Sequence, residues 1–592
     1  MTTQMTKINR QQLLSLAATL AIAIASVLIP AKAQSPASSP KQGSVQGPPG
    51  GSAQGLDPAQ LLKPATDTWP SYAGDYTQKR FSPLTQINQT NVKNLALQWT
   101  ATVPVGAPTR GGGFFAPPPV PTTVGGEIDQ AVPVSWPVRI SGAVLQVNGI
   151  LYLAAPDNAW AMDARTGQVL WHYFWKTRGG THIGNRGMAM YHDWLYFETP
   201  DDYLVSLDAK TGKERWHKEI ADFNQEYFST PAPILVGNHL LVGTGDDLDA
   251  PGFLQSFDPD TGALQWKHYT VPMEKGDPGL DTWATLDAAR HGGAQVWIPG
   301  AYDPDTNLYI FPTGNPVPAY TNATRGDKAN LYTCSIIAIN VDTGKVAWYY
   351  QTSPGDTHDW DSTQSPVLVD GVFNGKPRKM VMQAARNGYF FVVDRTTGEH
   401  LLTSKFSGSA NWAKEIAKDG TLVREPEKDS LGAGVLVSPD NGGATNWFPP
   451  SFDPQTGLFY LQSREVFSEY YLTESNARVI AGLGGKEEDN VGAWGSFLTA
   501  IDYKTGKVAW KYKFPSADTS AWGTAGILTT AGHLLFCTDT AGSIAAYDPK
   551  DGHPLWHSRI GSVSNAPETY TLDGRQYMLV AAGTNLYAFA LN

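Results

Sequence analysis

The sequence predicts an all-β protein built as a β-propeller, and three observations carry this. One eleven-residue phrase recurs along the chain, each copy has turn chemistry at fixed positions, and the composition favours short strands over helices. The phrase reads AMDARTGQVLW, SLDAKTGKERW, SFDPDTGALQW, AINVDTGKVAW, AIDYKTGKVAW and AYDPKDGHPLW, ending at Trp171, Trp216, Trp266, Trp348, Trp510 and Trp556. In every copy an Asp or Asn stands eight residues before the Trp, and a Gly follows that Asx by four. The Asx side chain can bond its own turn backbone, and Gly supplies the positive φ that other residues resist, so each phrase is a hairpin turn.

Variants DPDTN at 303–307, DRTTG at 394–398 and DPQTG at 453–457 fill the longer intervals, giving a recurrence of roughly 37 to 59 residues. A repeat of that size is one small twisted sheet that cannot bury its faces alone. Radial stacking, with the Trp packed between neighbouring repeats, covers both faces, and closing the ring protects the edges. An open β-solenoid or two-sheet sandwich is the other arrangement such turns allow, but Trp-ended repeats of this size suit radial stacking better. Nineteen Trp, fifty-nine Gly and forty-two Pro in a chain only 17% charged fit many short strands joined by tight turns.

At the N-terminus Lys7 and Arg10 precede an apolar run over 13–29 and then Ala31-Lys32-Ala33, the small-x-small pattern of a signal-peptidase site. The expected organisation is a signal peptide at 1–33, a flexible tail rich in Ser, Pro and Gly at 34–66, and a single propeller domain at 67–592. No later stretch approaches 18 uninterrupted apolar residues, so no membrane span is expected. The net charge of −11 becomes more negative still when Lys7, Arg10 and Lys32 leave with the signal, which argues against a nucleic-acid partner. Cys334 and Cys537 are far apart in sequence, and neither belongs to a CxxCH, so covalent c-type haem is excluded. The Pro- and Gly-rich stretch at 104–137 reads as a long surface loop.

The entry segment WPSYAGDYTQKRFSPLTQIN, the repeated phrase, TGNP, DWD, ARNG and NWFPP, in that order, make the chain resemble the pyrroloquinoline quinone (PQQ)-dependent methanol and alcohol dehydrogenases over about 69–592. The resemblance implies an eight-bladed propeller with the cofactor on its axis, oxidation of a small, primary alcohol in the periplasm, and a separate soluble cytochrome c as electron acceptor. It assigns Trp297 to stacking on the quinone, and Arg186, Arg386, Thr244, Asn446 and Trp447 to further cofactor contacts. Asp247, Asn315, Asp359 and Asp361 become ligands of one cation, calcium or a lanthanide, with Asp359 also the general base.

The chemistry of these residue types agrees. A flat quinone with three carboxylates wants an aromatic floor and cationic partners, and a hard cation wants an all-oxygen shell. If Asp359-Trp360-Asp361 is extended, its two carboxylates at i and i+2 project to one side. Three carboxylates suit a trivalent ion better than the calcium-type site that lacks the second Asp. The chain also departs from the family. Gly180-Thr181 stands where an adjacent cysteine pair is common, Ser141 where a Glu is usual, and Asp247 where a longer Glu ligand is usual. A propeller that had kept its shape as a binding scaffold while losing catalysis would show a degraded metal site, whereas this sequence keeps the oxygen ligands.

Overall fold

The computed structural model describes residues 55–592 apart from 108–119, 134–135, 181–182, 246–247, 363, 431, 473–484, 517–518 and 520–524. The signal peptide and the tail up to residue 54 lie outside the described residues. Among those described, the strands pair into eight sheets of four or five strands and one two-stranded hairpin. Most sheets are consecutive antiparallel meanders. The third is typical: Ile234–Val236, His239–Gly243 and Phe253–Phe257 are buried throughout, whereas the fourth strand, Leu264–Tyr269, is largely exposed. Two-sided burial of the first three strands means the sheets stand face to face, with the polar fourth strand at the rim.

The repeated phrase forms the turn between the third and fourth strands. In the second sheet Asp208 Oδ1 accepts from the backbone amides of Lys210 (3.1 Å) and Thr211 (2.8 Å), and Gly212 sits at φ +65°. The Trp171 indole of the preceding sheet lies on this turn, donating through Nε1 to Ala209 O at 2.9 Å. A Cβ on Gly212 would stand 2.6 Å from that ring. Trp216, Trp266, Trp348 and Trp510 repeat the arrangement, donating to the carbonyls of Asp260, Val341, Arg395 and Pro549 in the next turns. The variants at 303–307 and 453–457 are not further copies of this turn: they join the first and second strands of sheets that already carry the phrase, and Asn307 there takes the left-handed conformation, φ +54°, which Asn tolerates.

Chain ends meet in the eighth sheet. Leu95–Thr102 pairs antiparallel with Asn585–Leu591, from Leu95↔Leu591 to Thr102↔Asn585. The same strand carries Trp99, whose indole donates to Ala164 O (3.2 Å) in the turn of the first sheet, so the N-terminal strand repeats the inter-sheet contact at the seam. Arg80, fully buried, donates to Ile527 O (2.9 Å), Tyr72 O (3.0 Å) and Pro567 O (2.6 Å) and ties the entry segment to the seventh and eighth sheets.

Two expectations need correction. The tail does not extend to residue 66, because Leu56 and Leu61 are buried, Leu56 N donates to His192 O at 2.9 Å, and Asp57 caps a short 3-10 turn at Pro58–Leu62. Its few apolar side chains find a groove on the second sheet. The 104–137 stretch is not loop throughout, since Thr122–Gly125 adds a parallel strand to Val169–Trp175. Both cysteines are buried and unpaired.

Replacing Gly212 by Ala should destabilise the fold by at least about 1–2 kcal/mol, the cost of a left-handed non-glycine residue, with the displaced Trp171 ring adding to it. Denaturant unfolding followed by tryptophan fluorescence measures the loss.

Candidate active site

In an antiparallel meander the start of the first strand and the end of the second lie on one face. Every described residue expected in the site falls at one of these two places. Arg186 precedes Ala189–Tyr191, Trp297 precedes Ala301–Asp303, Asp359 and Asp361 precede Val367–Phe373, and Asn446 and Trp447 precede Ser451–Asp453. Thr244 follows His239–Gly243, Asn315 follows Leu308–Pro312, and Arg386 follows Lys376–Ala384. Side chains spread over the sequence from 186 to 447 are therefore delivered to the same face of successive sheets.

They converge. The Arg186 guanidinium carbon lies 4.7 Å from the Trp297 ring centroid and 4.5 Å from that of Trp447, and Arg386 approaches Trp297 at 5.6 Å. Arg386 pairs with Asp361 Oδ2 at 2.8 Å, lies 3.9 Å from Asp359 Oδ1, and donates to Asp359 O at 2.9 Å. Asp361 Oδ1 accepts from the Asn315 amide at 2.6 Å. A Cβ on Gly314 would stand 2.8 Å from the same oxygen, so TGNP needs its glycine to let the backbone approach this carboxylate. Asn446 Oδ1 accepts from Trp447 N (2.8 Å) and its Nδ2 donates to Gly442 O (2.9 Å), which fixes the indole beside Arg186.

The DWD segment is not extended, contrary to the spacing argument. Asp359 adopts φ +64°. The cause lies three residues upstream: Asp356 Oδ2 accepts from the amides of His358 (3.3 Å) and Trp360 (3.0 Å) and folds the segment into a turn. Trp360 is buried, stacked on His358 with centroids 4.2 Å apart, and bonded through Nε1 to Asp440 O at 2.8 Å. With the indole pinned inward, both carboxylates still reach Arg386.

Burial sets the electrostatics. It pulls the Arg186 guanidinium down to about 10, with the like charge of Arg386 adding to the effect and Tyr72 opposing it. Burial also raises Asp361, against the attraction of Arg386 and the Asn315 amide. Arg386 is itself penalised by burial, yet Asp361 and Asp359 hold it above the usual arginine value.

Several polar atoms here have no hydrogen-bond partner among the described residues although they are buried: Arg186 Nε and NH1, Arg386 Nε, Thr244 Oγ1 and Trp447 Nε1. All are able to donate. Buried donors are costly unless satisfied, so these groups, beside two indole faces, fit a planar ligand bearing anionic oxygens. Asp359, Asp361 and the Asn315 amide supply oxygens suited to a hard cation. No group of three His, Cys, Asp or Glu is assembled among the described residues, and Asp247 lies outside them, as does Thr181. Ser141 is buried and too short to replace a glutamate. Sequence reasoning missed two residues on this face. Thr230, whose carbonyl accepts from Arg186 N at 2.9 Å, has a buried unpartnered hydroxyl, and Glu198 has two buried unpartnered carboxyl oxygens. Neither belongs to a motif.

Comparison with known proteins agrees with this geometry. The family described as PQQ glucose/ethanol/alcohol dehydrogenase, β-propeller domain, matches residues 69–405 and 490–578, leaving out the segment that holds Asn446 and Trp447. The chain is 34% identical to quinohemoprotein alcohol dehydrogenase ADH IIB of Pseudomonas putida over 90% of its own length and 76% of the relative's. It is 33% identical to the quinoprotein alcohol dehydrogenase PedH of the same species over 85% and 84%. Among solved structures, the quinohemoprotein alcohol dehydrogenase of Comamonas testosteroni superposes with TM-score 0.78 at 28% identity, covering 90% of this chain and 82% of that one. A europium-containing methanol dehydrogenase gives 0.76 at 25%, covering 90% and 99%.

Replacing Asp356 by Ala removes the acceptor of two buried amides. It should lower stability by about 1–3 kcal/mol, measured by denaturant unfolding.

Proposed function

Because the chain belongs to the PQQ-dependent β-propeller alcohol dehydrogenases, we propose that it oxidises a small, primary alcohol in the periplasm, using PQQ and one cation, and hands electrons to a separate cytochrome c. The eight sheets are read as eight blades, with the site at the end of the axis where first strands begin. The observation that carries this reading is the set of buried, unpartnered donors on Arg186, Arg386, Thr244 and Trp447 around the Trp297 indole. A scaffold without a ligand would leave these groups uncompensated. Export is supported by Lys7 and Arg10, the apolar run and Ala31-Lys32-Ala33.

In this reading Trp297 provides the stacking surface, while Arg186 and Thr244 bind carboxylate or quinone oxygens. Asn446 orients Trp447 as the opposite wall. Asn315, Asp359, Asp361 and Asp247 hold the cation, calcium or a lanthanide. The second carboxylate, Asp361, favours the trivalent ion, and one structural neighbour is a europium-containing enzyme. When bound, the quinone accepts the two electrons of the alcohol and the cation polarises the reacting carbonyl. Asp359 takes the hydroxyl proton. Its carboxylate is held for this by the turn that Asp356 builds, and Arg386, bonded to the Asp359 carbonyl, supplies positive charge beside the reacting oxygen.

Reconstituting the protein with PQQ and either calcium or a light lanthanide should give a quinone absorbance and alcohol-dependent reduction of an artificial dye, and dye reduction with neither metal would exclude the dehydrogenase reading. Replacing Asp359 by Asn should leave PQQ bound and lower dye reduction by about 10²–10⁴-fold. Full activity in that variant would remove Asp359 from the mechanism. Replacing Asp361 by Ala should abolish lanthanide-supported turnover before calcium-supported turnover, read by the same assay with the two metals compared.

A further inference from the structure

The repeats can be compared with one another by register. In seven sheets a residue of the second strand, at or next to its end in all but the long strand Leu458–Leu472, pairs with the residue four before the turn Asx. The position reads Ala154 (opposite Ala159), Glu198 (Leu204), Gly243 (Leu254), Pro312 (Ile336), Ala384 (Phe390), Gln462 (Leu498) and Thr538 (Ile544). At Glu198 it lies on the same face as the site, because the second strand Trp194–Glu198 ends there. Glu198 is the one ionisable side chain in this series. The other long polar side chain is satisfied: Gln462 donates to Thr538 O (2.8 Å) and accepts from Gly526 N (3.0 Å). Glu198 is just as buried, yet neither carboxyl oxygen has a partner among the described residues.

Its backbone is tied to the cofactor-gripping segment. Asn185 Nδ2 donates to Glu198 O at 3.0 Å, and the next residue, Arg186, donates its amide to Thr230 O at 2.9 Å. Glu198 and Arg186 are close enough for their charges to act on one another, yet no ion pair joins them among the described residues. Unsatisfied groups are thus buried on both residues, donors on the arginine and a carboxyl on the glutamate. The groups around Glu198 are Asp202 on its own turn, Arg186 ahead of the first strand, Ser229 at the entry to the third sheet, and Tyr309 of the fourth. Ser229 Oγ donates to Asp202 Oδ1 at 3.0 Å while lying near enough to Glu198 to act on it, and Tyr309 accepts from Gly300 N at 2.7 Å. Burial, then the charge of Asp202, push Glu198 well above the carboxylate range, with Ser229 and Arg186 opposing. Burial raises Asp202 to about 8.

We propose that Glu198 is a cofactor-contacting residue of this chain's second blade: its neutral carboxyl group donates a hydrogen bond to a carboxylate of bound PQQ, next to the oxygen gripped by Arg186. An ionised glutamate would repel a tricarboxylate, whereas the neutral acid supplies a donor that costs no extra positive charge. The assignment rests on the dehydrogenase reading above and gives this quarter of the pocket an acid that accompanies the change to Ser141.

The test is PQQ binding itself, followed by tryptophan quenching in apoprotein supplied with PQQ and calcium, and again with a light lanthanide. The wild type, Glu198→Gln, Glu198→Ala and Asp202→Asn are titrated from neutral to alkaline pH. Glu198→Ala should weaken binding about tenfold or more, and Glu198→Gln, whose amide still donates, should stay within about threefold of wild type at neutral pH. Wild-type affinity should fall as pH rises through the Glu198 titration. That fall should persist in Asp202→Asn and vanish in Glu198→Gln, a readout that holds even where the alanine variant fails to fold. Binding by both Glu198 variants equal to wild type, with an unchanged pH profile, overturns the proposal alone, as does wild-type affinity that rises with pH. A wild type that binds no PQQ with either metal overturns the proposal together with the dehydrogenase reading.

Discussion

The contact on which the rest of the molecule depends is the tryptophan laid on the next sheet's turn. Each indole is held by one hydrogen bond to a turn carbonyl and by the flat surface of a glycine that has no side chain to obstruct it. Made by Trp99, Trp171, Trp216, Trp266, Trp348 and Trp510, this contact sets the spacing of those sheets against their neighbours, while Leu402 and Ser404 lie on the turn at Gly506 instead. Because the phrase sits between the third and fourth strands, it works at the rim and leaves the ends of the first and second strands free to carry chemistry. The site residues change from sheet to sheet while the rim contacts stay the same, which is how one repeated frame presents a non-repeating set of side chains.

The electrostatics of the site run against those of the chain. The protein carries a net charge of −11, yet two arginines are buried on the site face with donors to spare. Desolvating a guanidinium is tolerable only where anionic groups compensate it. Asp359 and Asp361 do so for Arg386. Arg186 has two indole faces and no ion pair among the described residues, so it is the less compensated of the two and the group with most to gain from an anionic ligand.

The repeated frame was legible in the sequence because the turn is local: Asp208, Gly212 and the next Trp stand at fixed offsets whatever the sheets around them do. The seam was not legible. Trp99 belongs to no copy of the phrase, and its strand partners lie at the far end of the chain. Most site residues were readable only through likeness to a family, since Arg186 and Arg386 look like any other arginine until the ends of the strands are placed. The geometry of Asp359 escaped because alternation along a strand ignores Asp356, whose side chain rebuilds the segment as a turn. Glu198 escaped for a different reason. Its signal is a register relative to the turn, and loops of unequal length between second and third strands hide that register from a one-dimensional comparison.

The seam also sets the order of events when the protein is made. Leu95–Thr102 leaves the ribosome with no partner, and Arg80 waits for carbonyls 447 and 487 residues away. Contacts of such sequence separation form late and slowly. Until Asn585–Leu591 arrives, its two partners, Leu95–Thr102 and Arg575–Ala582, each have an open edge, which is where unwanted strand addition starts. A shortened product lacking the last strand would thus be more than a smaller protein: it would be an unlatched one, prone to join others through the gap its missing strand should fill.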